Sequence, residues 1–260
     1  MRYDVYRWSG LKLDRHGRAE AVVLGAPPGA VVSGRWAAWF HDVDVLRRTD
    51  DRVEVTVPRT LHLKSDSERR VRHAEVPGED IAIVNDIPVT SVFRTAFDLS
   101  RLRPPKSGYE FVEAVVAVDA LAHRHRIDSD AFLAYALAHR GWPGVRLVEP
   151  VLELSDARAE SPMETRLRML LVSGGLPVPE VQYEVAVGGR SYRLDLAYPD
   201  KWLAIEYDGE DSHRGYLGAD ARRQNALESA GWTFRRYTAD AYYRRPAEIL
   251  SDIRAALART

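Results

Sequence analysis

The chain has 260 residues, with 37 lysines and arginines against 38 aspartates and glutamates, and it contains no cysteine. Because the net charge is only -1, affinity for a nucleic acid would have to come from local basic patches. The lack of cysteine excludes disulfide bonds and cysteine-ligated zinc. No apolar run approaches the roughly 20 residues of a membrane span, and the first residues lack the apolar core of a signal peptide. The sequence therefore predicts a cytoplasmic protein with no membrane partner.

Residues 1–155 are predicted to form one domain of short strands and helices, with a boundary near Asp156. A helix is predicted to start after Ser33, and a second after Thr90 or Ser91, which can cap it. The remaining predicted elements are strands at 19–24, 52–57, 69–76 and 81–89 and helices at 108–122, 128–140 and 145–154.

Residues 156–260 are predicted to form a second domain that begins with a well-marked helix. Ser161, Pro162 at the first helical position and Glu164 form a capping box, which gives Glu164 a structural explanation that competes with a catalytic one. A strand at 178–187, an acidic hairpin, a helix at 218–230, a strand at 232–237 and a helix at 246–258 follow. This order indicates a central sheet with helices on both faces.

The hairpin consists of two runs that alternate apolar and polar residues on either side of a Pro-Asp-Lys turn. With that turn, Asp195 falls directly opposite Glu206, about 5 Å away at Cβ. Asp208 returns to the same face, so three carboxylates crowd one patch of the sheet. A different turn would shift the register and place these acids at solvent-facing positions.

Like charges opposite each other destabilise a hairpin, which means that something should offset the repulsion. Mg²⁺, or Mn²⁺ in its place, binds oxygen ligands and would do so, and converging carboxylates suit a site of phosphoryl transfer. His213 follows in a loop, where a histidine beside a metal can position or deprotonate the attacking water. The alternative for a single loop histidine is a solvated side chain.

Arg222 and Arg235 are predicted to border the acidic face. They could hold DNA phosphates and so give an affinity that depends on salt rather than on base sequence. The alternative is that they pair with the acids nearby.

The second domain carries a combined motif: Glu164 on a helix, Asp195 on a strand, Glu206-x-Asp208-Gly209 and His213. With the series Asp220, Arg222, Leu227 and Gly231-Trp232, residues 161 to about 254 resemble very-short-patch-repair-like endonuclease domains, a branch of the PD-(D/E)XK nuclease superfamily.

The resemblance implies an α/β fold in which a restriction-endonuclease-like three-layer domain with a central mixed sheet follows a smaller α+β domain. It implies a Mg²⁺- or Mn²⁺-dependent endodeoxyribonuclease, with Asp195, Glu206 and Asp208 at the metal and Glu164 and His213 assisting. Where the superfamily often has a catalytic lysine, this chain has Asp208. His213, Lys201 or Arg222 could replace the lysine.

Residues about 29 to 103, including GAVVSGRWAAWFHDVDV and IPVTSVFRTAFDLSRL, are similar to the region that precedes such domains in AbiEi-family type IV antitoxin-like proteins. MRYDVYRWSGLKLDRHG is too brief for the three helices of the usual N-terminal winged helix. The resemblance implies a partner protein bound through the N-terminal half.

Three hypotheses follow. The first is a DNA endonuclease in repair or defence, and one site per chain would favour a homodimer for cleavage of both strands. The second is a non-catalytic DNA-binding or antitoxin-like regulator that retains a nuclease fold. The third is an interaction protein that binds a partner through its N-terminal half.

Overall fold

The chain forms two compact units, Met1–Ser155 and Asp156–Thr260. The N-terminal unit is the longer of the two. The structure is a computed structural model and describes residues 12–46, 50–101, 108–209 and 217–259. Within these residues, no helix combines the length and apolar character that a membrane span requires.

The described part of the N-terminal unit combines a mixed sheet with helices. The helices are α1 (Arg15–Leu24), α2 (Gly34–Phe40), α3 (Val92–Ser100), α4 (Gly108–His125), α5 (Ser129–Ala138) and α6 (Val148–Glu153). The strands are β1 (Val31–Val32), β2 (Val53–Val57), β3 (Arg69–His73), β4 (Ile81–Val84) and β5 (Ile87–Thr90). They lie in the order β3-β2-β1-β5-β4 and include parallel and antiparallel pairs.

Apolar cores hold the described part of this unit together, and the two larger ones contain most of its buried apolar side chains. Trp36 of α2 packs with Val55 in the core at the sheet. Phe97, Leu121 and Phe132 pack together in a core built by α3, α4 and α5. Trp36 is only 2% exposed, so it serves packing and cannot be a ligand platform.

Two strand predictions in this unit are wrong. Residues 19–24 lie in α1, because Asp14 caps that helix by accepting the N–H of Gly17, and Ala19 and Val22 bury one helical face. The run 81–89 is two strands, since Asn85 and Asp86 form a turn with φ of 49° and 64°. Asn and Asp tolerate this left-handed conformation, which makes a tight hairpin possible.

The C-terminal unit is built on a sheet in the order β6-β7-β8-β9, in which only the β8–β9 pair is parallel. Its strands are β6 (Glu180–Val187), β7 (Arg190–Tyr198), β8 (Leu203–Tyr207) and β9 (Thr233–Tyr237). Its helices are α7 (Pro162–Ser173), α8 (Leu217–Ser229), α9 (Ala239–Arg244) and α10 (Pro246–Ala258). The sequence analysis missed α9.

Helices cover both faces of this sheet. On one face, Leu171 of α7 and Ile253 of α10 pack in a core with Ile205 of β8. On the other face, Leu227 of α8 packs with Ala204, the neighbouring residue on β8. Because alternate residues of a strand point to opposite faces, β8 contributes to both cores. The unit is the predicted three-layer α/β fold with a central mixed sheet.

The hairpin of β7 and β8 has the predicted register. Ala197 pairs with Ala204 and Tyr198 pairs with Leu203. The turn differs from the predicted two-residue loop, because a 3₁₀ turn at Pro199–Lys201 precedes the second strand. The shift that would have moved the acids to solvent-facing positions does not occur.

Candidate functional site

Strands β6 and β7 share an irregularity at Gln182 and Asp195. The antiparallel ladder between the strands keeps one register along its length, but this one pair is missing from it. Gln182 has a φ of 52°, which lies in the left-handed region that strand residues avoid. We refer to this place, defined by Gln182 and Asp195, as the strand break.

Both strands change faces at the strand break. In a regular strand, Leu194 and Leu196 would lie on the same face. Here Leu194 packs in the core below α8, whereas Leu196 packs in the core below α7 and α10. Val181 and Val185 of β6 divide between the two cores in the same way. The strand break therefore brings Asp195 to the point where β7 passes from one core to the other.

Asp195 reaches across to β8 with its side chain. The ladder between β7 and β8 stops at the pair of Leu196 and Ile205, next to Asp195. Oδ2 of Asp195 accepts the N–H of Tyr207 at 3.0 Å. Burial is the main reason that the pKa of Asp195 is raised to about 7. The charges of Glu164 and Glu206 also raise this pKa, whereas the Tyr207 N–H lowers it. The structure thus brings these three predicted acids into one electrostatic cluster.

Glu164 lies in the first turn of α7 and is only 7% exposed. Ser161 caps the helix, because its Oγ accepts the N–H of Glu164 at 3.2 Å. The carboxylate of Glu164 accepts two bonds at Oε2, from the N–H of Glu160 at 3.0 Å and from Nε2 of Gln182 at 2.8 Å. Glu164 therefore supports the helix end and also points its charge at the strand break.

Glu206 is buried and is bound by two arginines. Its Oε1 accepts Nη2 of Arg223 at 2.6 Å, and its Oε2 accepts Nε of Arg236 at 3.1 Å. Arg236 lies level with Glu206 on the parallel neighbour β9, so both side chains share a face. A second bond holds each guanidinium, from Arg223 to the carbonyl of Arg193 and from Arg236 to Oε1 of Gln224.

The remaining predicted site residues lie elsewhere. Asp208 follows β8, and its N–H donates to the carbonyl of Tyr237 at 3.0 Å. Arg222 is exposed on α8. Arg235 points away from Glu206 and pairs with Asp252 of α10 at 3.0 Å, which corrects the expectation that it borders the acidic face. His213 lies outside the described residues.

The carboxylates of Glu164, Asp195 and Glu206 are oxygen ligands of the kind that a hard cation binds. In the structure, however, Glu206 is paired with two arginines. Among the described residues, no group of three or more acidic or histidine side chains is placed to hold a metal ion. Arg223 and Arg236, both bound to Glu206, offset part of the charge repulsion expected at this patch. Glu164 and Asp195 supply further carboxylate oxygens at the same cluster, and such oxygens are the ligands that Mg²⁺ prefers.

Sequence reasoning missed three members of this site. Gln182 carries no signal in the hydrophobic pattern, because a left-handed residue inside a strand is not encoded by alternation. Arg223 and Arg236 lie directly beside Arg222 and Arg235, the two arginines that the sequence analysis favours as DNA contacts. A parallel register between β8 and β9 would have identified Arg236, since that register puts it level with Glu206.

The C-terminal unit is similar to a family of restriction-endonuclease-like domains. Residues 172–257 match the model of the restriction-endonuclease-like family REase_MTES_1575, a range that includes Asp195 and Glu206 but not Glu164. The C-terminal unit is therefore a nuclease-like domain.

Two relatives match a longer part of the chain. They are the uncharacterized proteins MT2308 of Mycobacterium tuberculosis (strain CDC 1551 / Oshkosh) and Rv2248 of Mycobacterium tuberculosis (strain ATCC 25618 / H37Rv). Each is 32% identical over 163 residues, which are 61% of this chain and 58% of the relative. The match thus spans little more than half of either relative. No solved structure matches the chain significantly.

Proposed function

We propose that the chain is a metal-dependent DNA endonuclease that hydrolyses phosphodiester bonds at the strand break. The observation that carries the proposal is the convergence of Glu164, Asp195 and Glu206 on one place in a domain that matches a restriction-endonuclease-like family. Buried acids that repel one another cost stability, and such costs are concentrated at functional sites.

The proposed cofactor is Mg²⁺ or Mn²⁺, held by Asp195 and Glu206 with Asp208 as a further ligand. Bound there, the cation would supply a Lewis acid that polarises a phosphate oxygen and would neutralise the acids. Asp195 must lose its proton to act as a ligand, and its pKa of about 7 makes that loss easy at neutral pH. Glu164 orients the groups at the strand break, and His213 handles the proton of the attacking water.

Arg223 and Arg236 provide the proposed contacts to the DNA backbone. In the structure both guanidiniums neutralise Glu206. When Glu206 serves as a ligand, these arginines become available for phosphate oxygens, which guanidinium groups bind with two parallel hydrogen bonds. Arg222, exposed on the same helix as Arg223, extends this basic surface.

The finer assignments from the sequence belong to this proposal as well. They comprise a very-short-patch-repair-like activity in repair or defence, a homodimer for cleavage of both strands, and a cytoplasmic location. They also comprise an AbiEi-antitoxin-like N-terminal unit that binds a partner protein.

Plasmid cleavage with Glu206→Gln and Glu184→Gln tests the proposed function. Glu206→Gln removes the charge of a buried site acid, whereas Glu184→Gln removes the charge of an exposed acid on β6. With Mg²⁺ or Mn²⁺, the wild type and Glu184→Gln should nick supercoiled plasmid and Glu206→Gln should not. Equal cleavage by both variants, or cleavage in EDTA, would overturn the assignment.

A second candidate function is a non-catalytic DNA-binding regulator with a nuclease fold. The two ion pairs of Glu206 favour it, because they balance this acid without a cation. This candidate predicts DNA binding in EDTA that weakens steeply with salt, and no cleavage with any divalent ion. The same plasmid assay, run beside a binding titration in EDTA, separates the two functions.

A further inference from the structure

Gln182 takes an unfavourable backbone conformation in the middle of a strand. Its φ of 52° costs conformational energy for a glutamine, whereas glycine adopts this conformation freely. The neighbouring residues Val181 and Tyr183 both keep their ladder pairs with β7. The distortion is therefore confined to one residue, and a glycine there would avoid its cost.

The side chain of Gln182 makes a hydrogen bond to Glu164 that a glycine could not make. Its Nε2 donates to Oε2 of Glu164 at 2.8 Å, and the N–H of Glu160 donates to the same oxygen. The terminal torsion of a glutamate is soft, so a carboxylate needs such donors to keep one orientation. Two donors on one oxygen fix the plane of the Glu164 carboxylate.

The position of Gln182 also connects Glu164 to the acid opposite. The register of β6 and β7 sets Gln182 against Asp195, whose pKa is raised in part by the charge of Glu164. Two carboxylates that repel each other tend to separate when their side chains are free to rotate. The hydrogen bond from Gln182 to Glu164 counters this tendency.

We propose that Gln182 is a positioning residue, which holds the Glu164 carboxylate towards Asp195 at the strand break. The inference rests on the proposed function, because a fixed orientation of the Glu164 carboxylate matters only if the site binds a divalent cation and a phosphodiester. In this proposal, the left-handed backbone of Gln182 directs its side-chain amide to Glu164. The function of that contact explains why a residue with an unfavourable backbone conformation is kept there.

Substitution of Gln182 by glycine and by alanine separates the backbone from the side chain. Both Gln182→Gly and Gln182→Ala remove the amide, but only glycine relieves the backbone. Asn85→Gly is the matched control, because Asn85 has a φ of 49° in the turn of β4 and β5. The full chain is measured for its Tm in EDTA, the increase in Tm caused by Mn²⁺, and plasmid cleavage with Mn²⁺.

Gln182→Gly should melt at or above the wild-type temperature in EDTA and above Gln182→Ala. Both variants should lose about 10–100-fold in cleavage rate and most of the Mn²⁺-induced increase in Tm, as when a supporting residue of a metal site is removed. Asn85→Gly should change Tm alone. If Mn²⁺ raises the wild-type Tm without cleavage, loss of that increase in both variants still supports the inference.

Two results would overturn the inference while leaving the nuclease assignment in place. One is wild-type cleavage by Gln182→Gly, which would show that the amide is dispensable. The other is a Tm in EDTA for Gln182→Gly well below the wild type, which would make Gln182 a structural residue. A wild-type chain that neither responds to Mn²⁺ nor cleaves DNA would instead remove the proposed function, and this inference with it.

Discussion

Each unit of the chain buries carboxylates near arginines, but the charges are matched differently in the two. In the N-terminal unit, the fully buried Arg94 contacts Asp98 at 3.0 Å and Asp80 at 3.1 Å. Tyr135 donates its hydroxyl to Asp80 at 2.7 Å, and Arg101 adds a second guanidinium at Asp98. Every member of this network has a partner of the opposite charge or a hydrogen-bond donor.

At the strand break the arginines are concentrated on one acid. Arg223 and Arg236 both bind Glu206, whereas Asp195 receives a main-chain N–H and faces the charges of Glu164 and Glu206. Burial of acids alone therefore does not identify a site. Buried acids that are paired with arginines are compatible with a structural role. A buried acid that faces other acids destabilises the fold, and such residues are concentrated at functional sites.

Removal of Arg94 should have the largest effect on stability. Arg94→Met leaves Asp80 and Asp98 buried without their main cation, which should cost about 3–5 kcal/mol of unfolding free energy. Arg15→Met is the control, because the Arg15–Asp44 pair is exposed and worth less than about 1 kcal/mol. Urea unfolding measures both. Equal effects of the two substitutions would contradict the assignment of the Arg94 network as structural.

Removal of the charge at Asp195 should have the opposite sign. Asp195→Asn keeps an oxygen for the Tyr207 N–H but removes a charge that is disfavoured first by burial and then by the charges of Glu164 and Glu206. Each unit of pKa shift corresponds to about 1.4 kcal/mol, so the gain at pH 8 is at most about 4 kcal/mol. Thermal unfolding in EDTA at pH 8 measures it. If Asp195→Asn were less stable than the wild type, the charge of Asp195 would not destabilise the folded protein as proposed.

The pH dependence of stability should report the same charge in the wild type. The folded pKa of Asp195 is about 7 and its ordinary value is 3.8, so between these values the folded state holds a proton that the unfolded state lacks. The stabilisation from Asp195 is therefore complete at low pH and is lost as the pH rises towards 7. The difference in Tm between Asp195→Asn and the wild type should grow over this interval and then level off. A difference that is constant with pH would contradict the prediction.

The smallest predicted effect concerns DNA binding by single arginines. Arg236→Gln should lower the slope of binding against salt by about one phosphate contact. Arg235→Gln, one residue away, removes a side chain that pairs with Asp252 on the opposite face and should leave the slope unchanged. Filter binding over a range of salt concentrations decides between these two arginines. The reverse result would restore the assignment made from the sequence.

Local rules explain what the sequence could predict. The cap at Ser161 and the register that pairs Ala197 with Ala204 follow from short-range patterns. These patterns also placed Asp195 near Glu206. They failed for residues 19–24, where valines typical of strands lie on a capped helix, because capping and burial outweighed strand propensity.

The rest of the site depends on contacts that no local pattern encodes. The strand break at Gln182 coincides with the point where β6 and β7 divide their side chains between two cores, and this division requires the whole layered fold. Likewise, whether Arg235 or Arg236 faces Glu206 is decided by the parallel pairing of β9 with β8. A sequence pattern indicates that arginines are near, and the register decides which of them takes part.

A time course of plasmid nicking with Mn²⁺, by the wild type and Asp195→Asn at pH 8, measures whether the acids at the strand break form a nuclease site. Because Asp195→Asn should be the more stable protein, its loss of activity could not be attributed to unfolding. We expect that the wild type nicks the plasmid, that EDTA stops this nicking, and that Asp195→Asn does not nick the plasmid. Nicking by both proteins at the same rate would show that the acids at the strand break are not a nuclease site.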